Sequence, residues 1–357
     1  MDITFLQGLW FALIAVLFAG YFVLEGFDFG VEMNLATLGK GDPERNRTML
    51  KTIGPIWDGN QVWVLVGGAG IFAAFPEWYA TLFSGFYLAL LLLLLVLILR
   101  VCAFKWREKR NSAAWHKGWD IIHIISGFVP ALLWGVAFAN IVRGVQIDDN
   151  AWITTNLIGL LNPFGLLGGL VFVGLFWLHG THYLALRTTG ELREDANKQA
   201  SWMIYPVIVL GAIFLIWNQL AHSNTWLTWI PLLIAALALV AVIFTNKARR
   251  EGMSFLATTV AIVAAAAQMF GGLFPNVLPA TNDPANSLTI AGSASTEHTL
   301  LLMAIFVVLF LPIVLSYQAW GYKVFSHRLT VGEPDEREGQ GPKARIVGAY
   351  RAAFEQE

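Results

Sequence analysis

Apolar residues in this chain come in long runs, broken by short polar stretches. The runs fall over 5–37, 52–75, 78–104, 118–143, 161–187, 202–221, 225–246, 254–274 and 298–325. Most reach or exceed the ~20 residues that an α-helix needs to cross a hydrocarbon core. The pattern predicts an all-α polytopic membrane protein with about nine transmembrane helices. The first and last runs are longer than a crossing requires, so tilt or a break is expected there. In the first, Gly26 and Gly30 flank Phe27-Asp28-Phe29 and mark a place for a bend. Pro130 and Pro312 fall inside spans and should kink them. Pro206 falls in the first turns of its span, where proline is better tolerated.

The basic residues orient the spans. They lie in the 37–52, 100–117, 187–198 and 247–250 loops and in the C-terminal tail; of 23 Lys and Arg residues, Arg143 alone falls on the opposite side. Positive charge stays on the cytoplasmic side of a membrane. The N-terminus is therefore expected outside and the C-terminus in the cytoplasm. The reading is one transmembrane domain over 1–329 and a charged cytoplasmic tail over 330–357, weakly ordered or lying on the membrane surface. The start of the chain does not read as a cleavable signal peptide.

Composition agrees. Hydrophobic residues make up 57% of the 357, charged residues only 13%, and mean hydropathy is +0.61. A net charge of −1 gives no basic field that would draw nucleic acid. The single Cys102 excludes an internal disulfide framework and an all-cysteine metal site. Fifteen Trp residues suit interfacial anchoring and the walls of apolar pockets.

Against this background the polar residues inside spans stand out, because charge within a bilayer is costly and by default faces protein or water. Glu25 and Asp28 lie in the inner half of the first span, three residues apart and so on one helix face. Asp58 and Asn60 open the second span from the same side, in Trp57-Asp58-Gly59-Asn60-Gln61-Val62-Trp63. Carboxylates gathered in one leaflet suit a proton relay, since burial lets such a group hold a proton near neutral pH. They equally suit a structural network, with Asp58 partly capping its helix. Asp120 reads as a dipole-favoured residue at a helix start, and Arg187 as an anchor at the inner surface that pairs with Glu191. His123, His179 and His182 lie toward the cytoplasmic side; two facing imidazoles can ligate a haem, but hydrogen-bonded histidines at helix ends explain them as well. Gly67-Gly68-Ala69-Gly70 lacks a phosphate-loop lysine and reads as close helix packing.

Several stretches together resemble subunit II of the cytochrome bd quinol oxidases: Gly26-Phe27-Asp28-Phe29-Gly30, Trp57 through Trp63, Phe83-Ser84-Gly85-Phe86-Tyr87, Leu161-Asn162-Pro163-Phe164-Gly165-Leu166-Leu167 and Arg187-Thr188-Thr189-Gly190-Glu191-Leu192. The resemblance implies two four-helix bundles plus one peripheral helix, in a bacterial plasma membrane. It implies a haem-free subunit with no catalytic residue or metal of its own, paired with a subunit I that carries two b haems and haem d. The complex would oxidise quinol and reduce dioxygen to water. This chain would contribute a cytoplasmic proton path through Glu25, Asp28, Asp58 and Asn60, an oxygen route near Trp63, and complex stability. Glu25 stands where many relatives have Asp. A structural quinone, lipid and small single-span subunits are further expected partners. A different reading of the same acids is a stand-alone proton-coupled transporter, although no inverted repeat is visible. Another is a haem b cytochrome using His123 with His179 or His182.

Overall fold

The computed structural model describes residues 3–332 except residue 224. The described residues are helical apart from loops and one two-stranded antiparallel pairing. In order it forms α1 (Phe5–Asn34), α2 (Pro43–Ile53), α3 (Trp57–Ala74), α4 (Pro76–Gly85), α5 (Tyr87–Trp106), α6 (Ala113–Arg143), a single turn α7 (Leu157–Leu160), α8 (Pro163–Arg187), α9 (Gly190–Ala221), α10 (Trp229–Lys247) and α11 (Glu251–Leu273). Strands β1 (Asn276–Leu278) and β2 (Leu288–Thr289), the turn α12 (Ile290–Ser293) and α13 (Glu297–Val324) complete it. Eight of the helices are long and apolar enough to cross a membrane: α1, α5, α6, α8, α9, α10, α11 and α13.

Three expected boundaries shift. The run over 52–75 yields α3, only 18 residues long with a polar first turn, while the preceding loop folds as the separate helix α2. Asp42 caps α2 and Pro43 occupies its first turn, a standard helix start. The run over 78–104 is cut at Phe86 into α4 and α5. Finally, α9 begins at Gly190, so the expected 187–198 loop is mostly helix and Pro206 is well inside it. The tail from residue 333 lies outside the described residues.

α1 and α8 are the central helices. α1 packs on α3, α6, α8 and α11, and α8 on α6, α9 and α11. With no hydrophobic drive between helices in lipid, small residues that let backbones approach carry much of this packing. A Cβ placed on Gly30 would lie 2.0 Å from the Phe176 carbonyl oxygen, and one on Gly180 would lie 2.3 Å from the Gly30 carbonyl carbon. A Cβ on Gly127 of α6 would lie 2.4 Å from the Phe29 carbonyl oxygen. Around these crossings aromatic rings fill the core, with Phe22 edge-on to Phe138 at 4.9 Å and to Phe172 at 5.0 Å. Gly67 and Gly70, expected to mark close packing, lie against Phe18 and Ile14 of α1.

α13 is peripheral: only 6% of its most apolar stretch is buried. Its ends are nevertheless fastened. The Trp10 indole donates to the Leu300 carbonyl at 2.9 Å, and Ser295, just before α13, bonds the Ala73 and Ala74 carbonyls. Beyond its other end, Leu329 donates to the Arg187 carbonyl at 2.8 Å and accepts from the Thr189 amide at 3.0 Å. Arg187 itself is buried, its guanidinium 5.8 Å from the Tyr183 ring. Glu191 instead lies 3.9 Å from Arg45.

The α1–α8 crossing is testable. Gly30→Ala should destabilise the protein by about 1–3 kcal/mol by forcing the two backbones apart, seen as a lower unfolding midpoint in detergent. An unchanged midpoint would mean that the helices do not approach this closely.

Candidate functional site

Near the basic face, α1 places three acids on one side: Glu25, Asp28 and Glu32, at positions i, i+3 and i+7. All three side chains are fully buried. Arg100 of α5, also fully buried, lies among them. Its Nε donates to Glu32 Oε2 at 2.8 Å, and its Nη1 bonds Glu25 Oε1 and reaches Gln61 Oε1 at 3.4 Å. Aromatic rings wall the guanidinium: Phe29 at 5.0 Å, Trp57 at 5.5 Å and Phe104 at 5.6 Å. A planar, permanently charged fork suits this double engagement as an ammonium would not.

Two extensions leave this centre. Toward α3 and α13, Asn60 donates to Asp28 Oδ2 at 2.8 Å, and its own Oδ1 accepts from Tyr322 at 2.6 Å and Gln318 at 3.3 Å. Toward α6, His123 Nδ1 lies 2.7 Å from Glu32 Oε1. Several buried atoms of the cluster lack a hydrogen-bond partner: Glu25 Oε2, Asp28 Oδ1, Arg100 Nη2 and His123 Nε2. Three buried acids and one imidazole thus gather around one fixed cation.

Glu25, Asp28 and Asn60, singled out from sequence, thus meet in one cluster. Asp58 does not join it. It is exposed at the start of α3, where it accepts from the Gly59 amide at 2.8 Å. Trp63 sits over Gly20, where an added Cβ would come within 2.3 Å of its ring, and its indole donates to Gln318 at 3.0 Å. Asp120 is tied to Arg107 at 2.6 Å and to Asn46 at 2.8 Å, more than the dipole role expected for it. His179 contacts Thr258 of α11 at 2.6 Å, whereas both ring nitrogens of His182 are unpartnered. Among the described residues, no three His, Cys, Asp or Glu side chains group as a metal site.

Sequence reading missed Glu32, Arg100, Gln318 and Tyr322. Glu32 was visible as the next acid on the Glu25–Asp28 face. The charge pattern puts Arg100 in the 100–117 loop, but it lies inside α5 at the end of an unbroken apolar run.

The family model for cytochrome bd terminal oxidase subunit II matches residues 6–325. The chain belongs to this family. Subunit 2 of the cytochrome bd ubiquinol oxidase of Bacillus subtilis is 37% identical over 336 residues, covering 92% of this chain and 98% of the relative. Subunit 2 of the Escherichia coli K12 cytochrome bd-I ubiquinol oxidase is 33% identical over 368 residues, covering 92% and 97%. The fold resembles a chain in the structure of the bd oxidase from Geobacillus thermodenitrificans, with a TM-score of 0.74 and 15% identity over 90% of this chain and 99% of that one. As a subunit II, the chain is a multi-pass bacterial membrane protein of a respiratory oxidoreductase.

In this subunit II, Arg100→Met would leave three buried acids with no permanent cation. Removing one partner of a buried ion pair costs about 3–5 kcal/mol. Protonating the acids lifts that penalty, so the loss of stability should be smaller in acidic than in alkaline buffer. Equal losses across pH would show that the acids are not ionised around Arg100.

Proposed function

We propose that this chain is the non-haem subunit of a cytochrome bd quinol oxidase, paired with a haem-bearing subunit I, and that its buried ionic cluster carries protons from the cytoplasmic side toward the site of oxygen reduction. The observation that carries this reading is the incomplete satisfaction of the cluster. Glu25, Asp28 and Arg100 are fully buried, yet each keeps one atom without a partner. A network built only for stability would satisfy every such atom, because an unpaired polar group in low dielectric is costly. Unpaired carboxylate oxygens on adjacent turns are instead places where a proton or a water can rest. The cluster also lies in the half of α1 nearest the basic loops, which the charge distribution assigns to the cytoplasm.

Asp58 fits the same reading at the edge of the subunit. Its helix face continues through exposed Val62, Leu65 and Val66, so a carboxylate stands in an apolar stripe. Within a membrane such a stripe is stable when protein covers it. In this proposal subunit I covers it, and Asp58 hands protons across the interface. In this proposal oxygen enters near Trp63; what supports it is an apolar cavity of about 60 Å³, lined by Val64 with Phe18, Gly68 and Phe138 and of a size for a small nonpolar gas. Haem chemistry is assigned to subunit I.

The test uses the complete two-subunit oxidase. Glu25→Gln keeps the shape but cannot exchange a proton, and should slow quinol-driven oxygen consumption by about tenfold or more while haem content stays normal. Wild-type turnover in this variant would refute a role for Glu25 in proton delivery.

A further inference from the structure

One end of the cluster has no role in that path. His123 has no exposed surface, its Nδ1 is engaged by Glu32, and its Nε2 has no partner. The same residue lines a cavity of about 240 Å³ formed by α2, the end of α5 and α6. Gly54 and Glu108 in the lining are exposed, so the cavity joins the basic surface to the buried ring. Its size admits several waters. Phe104 stands edge-on to the imidazole at 4.6 Å and holds its plane.

The charges around the cavity are largely balanced. Arg47 lies 3.6 Å from Glu108 and 4.0 Å from Glu44, while Arg107 is bonded to Asp120 and Glu108. Lys51 adds a cation from α2. Behind the ring, Glu32, Glu25 and Asp28 face a single Arg100. A proton moving inward therefore passes from paired surface charges to a site with more acids than fixed cations.

We propose that His123 and Glu32 form the port through which cavity water delivers protons to the cluster. This rests on the proton-path reading above and adds where the path begins. Neutral His123 carries its hydrogen on Nδ1, donated to Glu32. A hydrated proton that enters the cavity from the surface is taken by Nε2, leaving neutral water behind. The imidazolium then releases the Nδ1 proton to Glu32 Oε1, leaving neutral imidazole with its hydrogen on Nε2 and a neutral Glu32. Neutral Glu32 holds Arg100 less firmly, so the guanidinium settles on the Glu25 carboxylate that it already bonds. When Glu32 has passed its proton on, the neutral imidazole makes a half-turn about its Cβ–Cγ bond, Nδ1 takes a proton from cavity water as Nε2 gives one up, and the reverse half-turn restores the Nδ1 hydrogen toward Glu32. No electron moves, and each cycle carries one proton inward.

The experiment again uses the complete oxidase, with oxygen consumption and the haem spectrum measured together. His123→Gln can still donate to Glu32 but cannot relay. It should turn over about tenfold more slowly with normal haem content, and imidazole added to the buffer should restore part of the rate by occupying the cavity. Slow turnover without an imidazole response would mean that His123 only positions Glu32, and would overturn the proposal. Gly54→Phe, which fills the outer part of the cavity without touching the cluster, should also slow turnover; a normal rate would show that protons do not pass this way. Glu25→Gln run in parallel separates the two claims. If it is slow while His123→Gln and Gly54→Phe are normal, only the port falls; if it too is normal, the path itself falls.

Discussion

The structure depends on one buried guanidinium. Arg100 is a buried cation on an apolar helix, and moving it from water into the protein is expensive unless acids and hydrogen bonds meet it. α1 supplies Glu25 and Glu32 on either side, while Phe29, Trp57 and Phe104 enclose it. That requirement fixes the rotation of α5, whose other side chains are too alike to define one. The acids in turn recruit α6 through His123, and α3 and α13 through Asn60 and Tyr322. Five helices are thereby registered at one point.

Such a point can form only if the backbones come close. Gly127 lies one turn beyond His123 on α6, pressed against the α1 backbone at Phe29 and Met33. A larger residue there would hold α6 away and pull the imidazole out of reach of Glu32. On the other side of α1, the Gly30–Gly180 crossing brings in α8. Glycine packing and the polar cluster are thus parts of one arrangement: the first sets helix separations and the second sets helix rotations.

How much of this was readable in the sequence follows from the range of each signal. The apolar runs report burial in lipid directly, so the all-α membrane fold and most helices were legible. Charge asymmetry was legible too, because it sums over the whole chain. The breaks at Phe86 and before Trp57 were not, since an apolar run continues through the first and the polar start of α3 blurs the second. For the site, Glu25, Asp28 and Asn60 were recognisable as polar residues in apolar surroundings, and they do meet. Arg100 was hidden because a cation at the end of an apolar run looks like the first residue of a loop; only its tertiary partners show that the helix continues past it. His123 was visible, but nothing local distinguishes a histidine beside an acid on another helix from one satisfied near its own helix end. Asp58 shows the converse: its neighbours in sequence suggested membership of the cluster, while helix phase turns it outward.

α13 shows how attachment can be concentrated. It is held at and just beyond both ends, by the Leu300 carbonyl and Ser295 on one side and by Tyr322 and Leu329 on the other, and is largely exposed between. The intervening residues, including Phe306, Val308, Leu309 and Ile313, are exposed and give this chain little internal packing. One apolar residue there can replace another without loosening the helix's attachment to this chain, whereas a change at the anchored ends removes a bond that nothing along the middle replaces.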